Sequence, residues 1–191
     1  MNQALALTLL RLALAPAVVT LGLTRSGSAA VAVLLVVGFL SDVFDGVVAR
    51  RTGTATPALR RLDSTVDTVF YLGIVVAAWM LHRAALRPLL PLVALVIATE
   101  VGTNALCLVR FRREASYHAW SARVFGLALF AALLLLFAAG SPALLLPAIV
   151  VGLVSHLENA AITLVLPEWR CDVRSLFAAW RIRQRHSRVA C

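Results

Sequence analysis

Four aspartates, Asp42, Asp45, Asp63 and Asp67, fall within 26 positions of a chain that contains only nine acidic residues. Asp42 and Asp45 are three residues apart and Asp63 and Asp67 four apart, so on helices each pair shares one face. Carboxylates gathered in this way repel one another unless cations neutralise them. Hard divalent ions such as Mg²⁺ or Mn²⁺ prefer oxygen ligands and bind between carboxylates and the phosphates of a substrate. Two such ions a few ångströms apart can clamp a phosphoryl transfer, stabilising both the attacking and the leaving oxygen. The neighbouring residues suit that chemistry. Gly46 and Ala49 lie on the face of Asp42 and Asp45 and leave room for a ligand, and Arg50 offers a guanidinium that can fork onto phosphate oxygens.

The elements that must hold these residues are membrane helices. Of 191 residues, 61% are hydrophobic and 14% charged, whereas a soluble domain carries about a quarter charged residues. That balance excludes a soluble fold, a disordered chain and a disulfide scaffold. A transmembrane helix takes roughly 20 apolar residues, and six apolar segments occupy 4–23, 29–49, 62–81, 88–109, 122–139 and 142–166. The expectation is an all-α polytopic membrane protein, with six transmembrane helices in one domain over residues 1–168 and a basic tail over 169–191. The first segment reads as a span rather than a signal peptide, because no charge precedes Arg11 and Arg11 interrupts the apolar run. The two aspartate pairs then sit on the second and third helices, which are antiparallel and joined by a short loop, so both pairs lie at one depth. A carboxylate at the bilayer centre costs roughly 2.5–3.5 kcal/mol, and four together need a compensating partner.

All 18 basic residues are Arg, giving a formal net charge of +9. With the N-terminus inside, the cytoplasmic side holds Arg50, Arg51, Arg60, Arg61, Arg110, Arg112, Arg113, Arg123 and six tail arginines, against Arg25, Arg83 and Arg87 on the other side. The positive-inside rule then places both termini and the aspartates at the cytoplasmic face of the cell's inner membrane. No basic stretch is interleaved with base-stacking aromatics, so nucleic acid is not the expected partner. At helical spacing Val173, Leu176, Phe177 and Trp180 share a face while Arg174, Arg181 and Arg185 cluster on another, which predicts an amphipathic interfacial helix on anionic lipid. Cys107, Cys171 and Cys191 form no paired spacing.

The run Asp42-Val-Phe-Asp45-Gly46-Val-Val-Ala49-Arg50, followed by Asp63-Ser-Thr-Val-Asp67, resembles the signature of the CDP-alcohol phosphotransferase (CDP-alcohol phosphatidyltransferase) family, D-x-x-D-G-x-x-A-R…G-x-x-x-D-x-x-x-D. Six spans with the signature across the second and third match the family's plan, and Thr8, Arg11 and Pro16 resemble its first helix. The resemblance implies metal-dependent transfer of a phosphatidyl group from a CDP-linked donor such as CDP-diacylglycerol to a small alcohol, releasing CMP. Carried over by position, Asp42, Asp45, Asp63 and Asp67 would bind two Mg²⁺ or Mn²⁺ ions, and Asp67 would also be the base for the acceptor hydroxyl. Gly46, Ala49 and Arg50 would hold the CMP moiety and its diphosphate. Homodimers are also common in the family. One motif position departs: the second glycine is Leu59.

Leu59 keeps a second reading open, a catalytically impaired paralogue that binds lipid or metal without turnover. A transporter would carry its carboxylates near the midplane, whereas these four cluster at the cytoplasmic helix ends. Arg123, at the start of the fifth span, is a candidate for binding an acceptor or lipid phosphate. Arg11, Glu100 and Glu158 are expected inside their spans, with Arg11 pairing with one of the glutamates across a polar cavity. Interhelical hydrogen bonding is the structural alternative for that set.

Overall fold

The computed structural model describes residues 3–25, 27–52, 57–113, 115, 117 and 119–189, and no strand occurs among them. The helices are α1 (Gln3–Leu23), α2 (Ser28–Thr52), α3 (Pro57–Leu86), α4 (Leu90–Phe111), α5 (Trp120–Ala139), α6 (Leu145–Val165) and α7 (Leu176–Val189), with a 3₁₀ turn at Arg87–Leu89 before α4. Each expected span has its helix. Among the described residues five stretches are long and apolar enough to cross a membrane, and one of them, Thr65–Phe111, runs for 47 residues through α3 and α4. At roughly 20 residues per pass, that length serves two crossings.

The largest departure from the expected boundaries is α3, which extends beyond 62–81 at both ends. Pro57 opens it, a residue suited to the first helical position because its missing N–H has no partner to lose there. At the other end the chain leaves helical geometry at His82 (φ −127°, ψ 32°) and then resumes the helix to Leu86. His82 Nε2 lies 2.9 Å from Ser28 Oγ at the start of α2, an interhelical contact that suits a polar side chain at this interruption.

The chain divides into two compact units. The first contains α1, α2, α3 and residues 133–141, the end of α5 with the two residues that follow it. Val18, Val31, Leu35, Phe70, Ile74, Leu136 and Phe137 are buried in it. In lipid no hydrophobic force drives one helix against another, so close approach between small residues matters more. A Cβ on Gly22 would come within 2.8 Å of the Ala77 Cα, and one on Gly73 within 3.4 Å of the Ala15 carbonyl oxygen. These glycines let α1 lie directly on the backbone of α3.

The second unit contains α4, the beginning of α5, α6 and α7. Cys107, Tyr117, Ala119, Ile162, Leu166, Val173 and Ala179 form its buried cluster. The Tyr117 hydroxyl lies 2.9 Å from Thr163 Oγ1 and 3.4 Å from Cys107 Sγ. On the outer surfaces Leu72, Val101, Leu127 and Leu157 are exposed, as lipid-facing residues should be.

The tail helix differs from its expected form at its start. Val173 precedes α7 and is buried in the second unit's core, so it does not share an exposed stripe with Leu176, Phe177 and Trp180. The reason is a cap. The Leu176 N–H donates to Glu158 Oε1 at 3.1 Å and the Ala178 N–H to Ser175 Oγ at 3.3 Å, which starts the helix after Ser175. Ala179 and Ile182 face the core, while Phe177 and Trp180 are exposed and stack on each other, with Arg181 over the Phe177 ring.

Candidate active site

Three helices of the first unit converge on one point. α2 supplies Asp42 and Asp45, and α3 supplies Asp63 and Asp67. From α1 come Thr8 and Arg11, three residues apart on the same face. Arg11 is only 1% exposed. Its Nη1 donates to Asp42 Oδ1 at 3.0 Å and its Nη2 to Asp63 Oδ1 at 2.5 Å, and it also forms ion pairs with Asp45 and Asp67. Thr8 Oγ1 donates to Asp63 Oδ1 at 3.5 Å. A planar guanidinium with five N–H donors is the side chain best able to meet four carboxylates at once.

The four aspartates are not equivalent. The Asp45 side chain is 5% exposed, whereas those of Asp42, Asp63 and Asp67 are 38%, 32% and 27% exposed. One oxygen from each of Asp42, Asp63 and Asp67 lies within 4.8 Å of the other two, a grouping that could hold a metal ion. An accessible all-oxygen donor set of this kind fits a hard divalent cation.

The expected pairing of Arg11 with a glutamate is overturned. Thr8, Arg11, Ala15 and Val18 recur every three or four residues and are all buried, so they form one face of α1. That face packs on α2 and α3, which carry the aspartates. Glu100 instead accepts from Asn104 Nδ2 at 2.9 Å and meets His156 Nε2 at 2.8 Å, and His156 Nδ1 lies 3.0 Å from Thr99 Oγ1. These contacts join α4 to α6. Glu158 caps α7. Both glutamates thus take part in helix-to-helix bonding within the second unit. The spacing of Thr8, Arg11, Ala15 and Val18 was the available signal for the face on which Arg11 points.

Gly46, Ala49 and Arg50 continue α2 beyond Asp45, and Leu59 lies in the first turn of α3. Their side chains fall outside the described residues. Arg123 is in the first turn of α5, with its guanidinium 4.9 Å from the centre of the Trp120 ring.

The family model for CDP-alcohol phosphatidyltransferase matches residues 1–165, a stretch that includes Arg11 and all four aspartates. The chain belongs to the CDP-alcohol phosphatidyltransferase family. It is therefore a member of a transferase family whose reaction moves a phosphatidyl group from a CDP-alcohol to an alcohol acceptor with divalent metal, and its apolar helices make it a membrane protein. The match ends at the last residue of α6, before the tail. Comparison with curated proteins and with solved structures gave no match.

Proposed function

We propose that this CDP-alcohol phosphatidyltransferase transfers the phosphatidyl group of CDP-diacylglycerol, or of another CDP-linked lipid, to a small polar alcohol and releases CMP for phospholipid synthesis. The observation that carries the reading is the accessible carboxylate group of Asp42, Asp63 and Asp67 on two helices that also bear the family signature. In this reading Asp42, Asp45, Asp63 and Asp67 hold two Mg²⁺ or Mn²⁺ ions, which supply charge neutralisation for the donor diphosphate. Gly46, Ala49 and Arg50 bind the nucleotide and its diphosphate. Asp67 takes the proton of the acceptor hydroxyl as that oxygen bonds to the phosphorus bearing the lipid. The bond from that phosphorus to the bridging oxygen breaks, and the oxygen leaves with CMP. An alcohol is a poor nucleophile until its proton can depart, so a carboxylate at this place has a definite task.

Residues 1–168 form the catalytic membrane domain in this proposal, and residues 169–191 form a tail that rests on anionic lipid. The active site and both termini face the cytoplasm at the inner membrane. Arg123 binds a phosphate of acceptor or lipid, and the protein works as a homodimer. Glycerol 3-phosphate is the first acceptor to test.

The test is CMP release from CDP-diacylglycerol by purified protein with Mn²⁺ or Mg²⁺ and a panel of alcohols. Asp67→Asn should lower turnover by about 10²–10⁴-fold, the usual weight of a general base. Full turnover by that variant would remove Asp67 from the role. Leu59 favours one other reading, the impaired paralogue. Metal binding without CMP from any donor, together with a gain of turnover in Leu59→Gly, would establish it.

A further inference from the structure

We infer that Arg11 is a built-in counter-ion of the carboxylate site, which divalent cations must displace as they bind. The inference rests on the metal-dependent reading above. One oxygen of each carboxylate that could hold an ion already faces a cation of the protein itself. Asp42 Oδ1, Asp63 Oδ1 and Asp67 Oδ1 all face the Arg11 guanidinium, and Asp45 meets it from the buried side. A hard ion binds carboxylate oxygen at roughly 2.0–2.1 Å for Mg²⁺. A guanidinium that pairs with an oxygen of every one of these carboxylates competes with an ion for the same charge.

Charge points the same way. Four ionised carboxylates facing one guanidinium leave a deficit of three positive charges, so the site attracts cations strongly. Two divalent ions would neutralise the four carboxylates without help from arginine. The Arg11 charge would then be surplus, repelled by the ions at short range in a poorly screened setting. Without metal, the opposite holds: Arg11 is the cation that lets four carboxylates from α2 and α3 stay together. Arg11 therefore stabilises the metal-free protein and weakens its apparent affinity for metal.

The experiment uses full-length protein in detergent, stripped with EDTA and titrated with Mn²⁺. Free Mn²⁺ is read by electron paramagnetic resonance, and thermal unfolding is followed with and without the ion. Arg11→Gln should bind Mn²⁺ about tenfold more tightly or better, a change of the size that removing a competing charge nearby can supply. Its metal-free melting temperature should fall, and Mn²⁺ should raise it by more than it raises that of the wild type. Arg11→Lys keeps the charge but cannot span four carboxylates, and should lie between the two. If Arg11→Gln folds only in Mn²⁺, the stabilising role is upheld. If Arg11→Gln cannot be purified even in Mn²⁺, Arg11→Lys decides by its affinity alone. Mn²⁺ binding by the wild type, with no gain of affinity in whichever variant folds, would overturn the displacement while leaving the metal reading intact. No Mn²⁺ binding by any of the proteins would overturn both.

Discussion

Tyr117 lies between α4 and α5 with its hydroxyl enclosed against Thr163 and Cys107. Burial, aided by the Cys107 contact, pushes its ionisation up to about 12. A group whose folded-state value is raised contributes its stability in full below the unfolded value, near pH 10. That contribution is lost as pH rises through about 12. Thermal unfolding of the wild type should therefore become steeply easier between those limits. Tyr117→Phe should start about 1 kcal/mol less stable, the net worth of an ordinary hydrogen bond, and lose less across the same pH window. At this scale the sequence was uneven in what it disclosed. The aspartates were legible because their type is scarce and their spacing fixes a shared helix face. The partner of Arg11 was not, because a side chain inside a span can reach any neighbouring helix, and the choice depends on which helices α1 packs against.

Among the elements, α1 has the most demanding position, since it presents Arg11 to two other helices. Its distance from α3 is set well away from the aspartates, where Gly22 meets Ala77. Gly22→Val would push the backbones apart and should destabilise the protein by about 1–3 kcal/mol, as overpacking usually does. Gly22 lies eleven residues from Arg11, about 16 Å along the helix, yet CMP release should also fall because α1 tilts as it moves. Melting temperature and turnover measured on one preparation check both effects. Helix existence and order were readable from apolar run length. The ends were not: Pro57 carried a start signal that the arginines after it obscured, and α7 begins where a distant glutamate caps it. Tertiary partners of that kind leave no local trace.

For the whole molecule, the arginine distribution is the property that sequence disclosed most directly, and its proposed consequence can be checked with a side chain already present. Cys171 is exposed and free, whereas Cys107 is buried. In a Cys191→Ser background, a membrane-impermeant maleimide should label Cys171 in inverted vesicles and leave it unlabelled in intact cells. Labelling from outside would reverse the proposed orientation.

The reach of Arg11 along the chain bears on how the protein is made. Its hydrogen-bonded aspartate partners follow it by 31, 34 and 52 residues, so during synthesis Arg11 leaves the ribosome before any of them does. An arginine at mid-helix costs roughly 2.5–3.5 kcal/mol on insertion scales, and until α2 and α3 emerge from the ribosome no carboxylate pairs with it. The first helix is thus a provisional occupant of the membrane. Its final seat is fixed retroactively by the two that follow, which makes the nascent chain between residues 23 and 63 the interval in which a stalled ribosome or a missing insertase would do most harm.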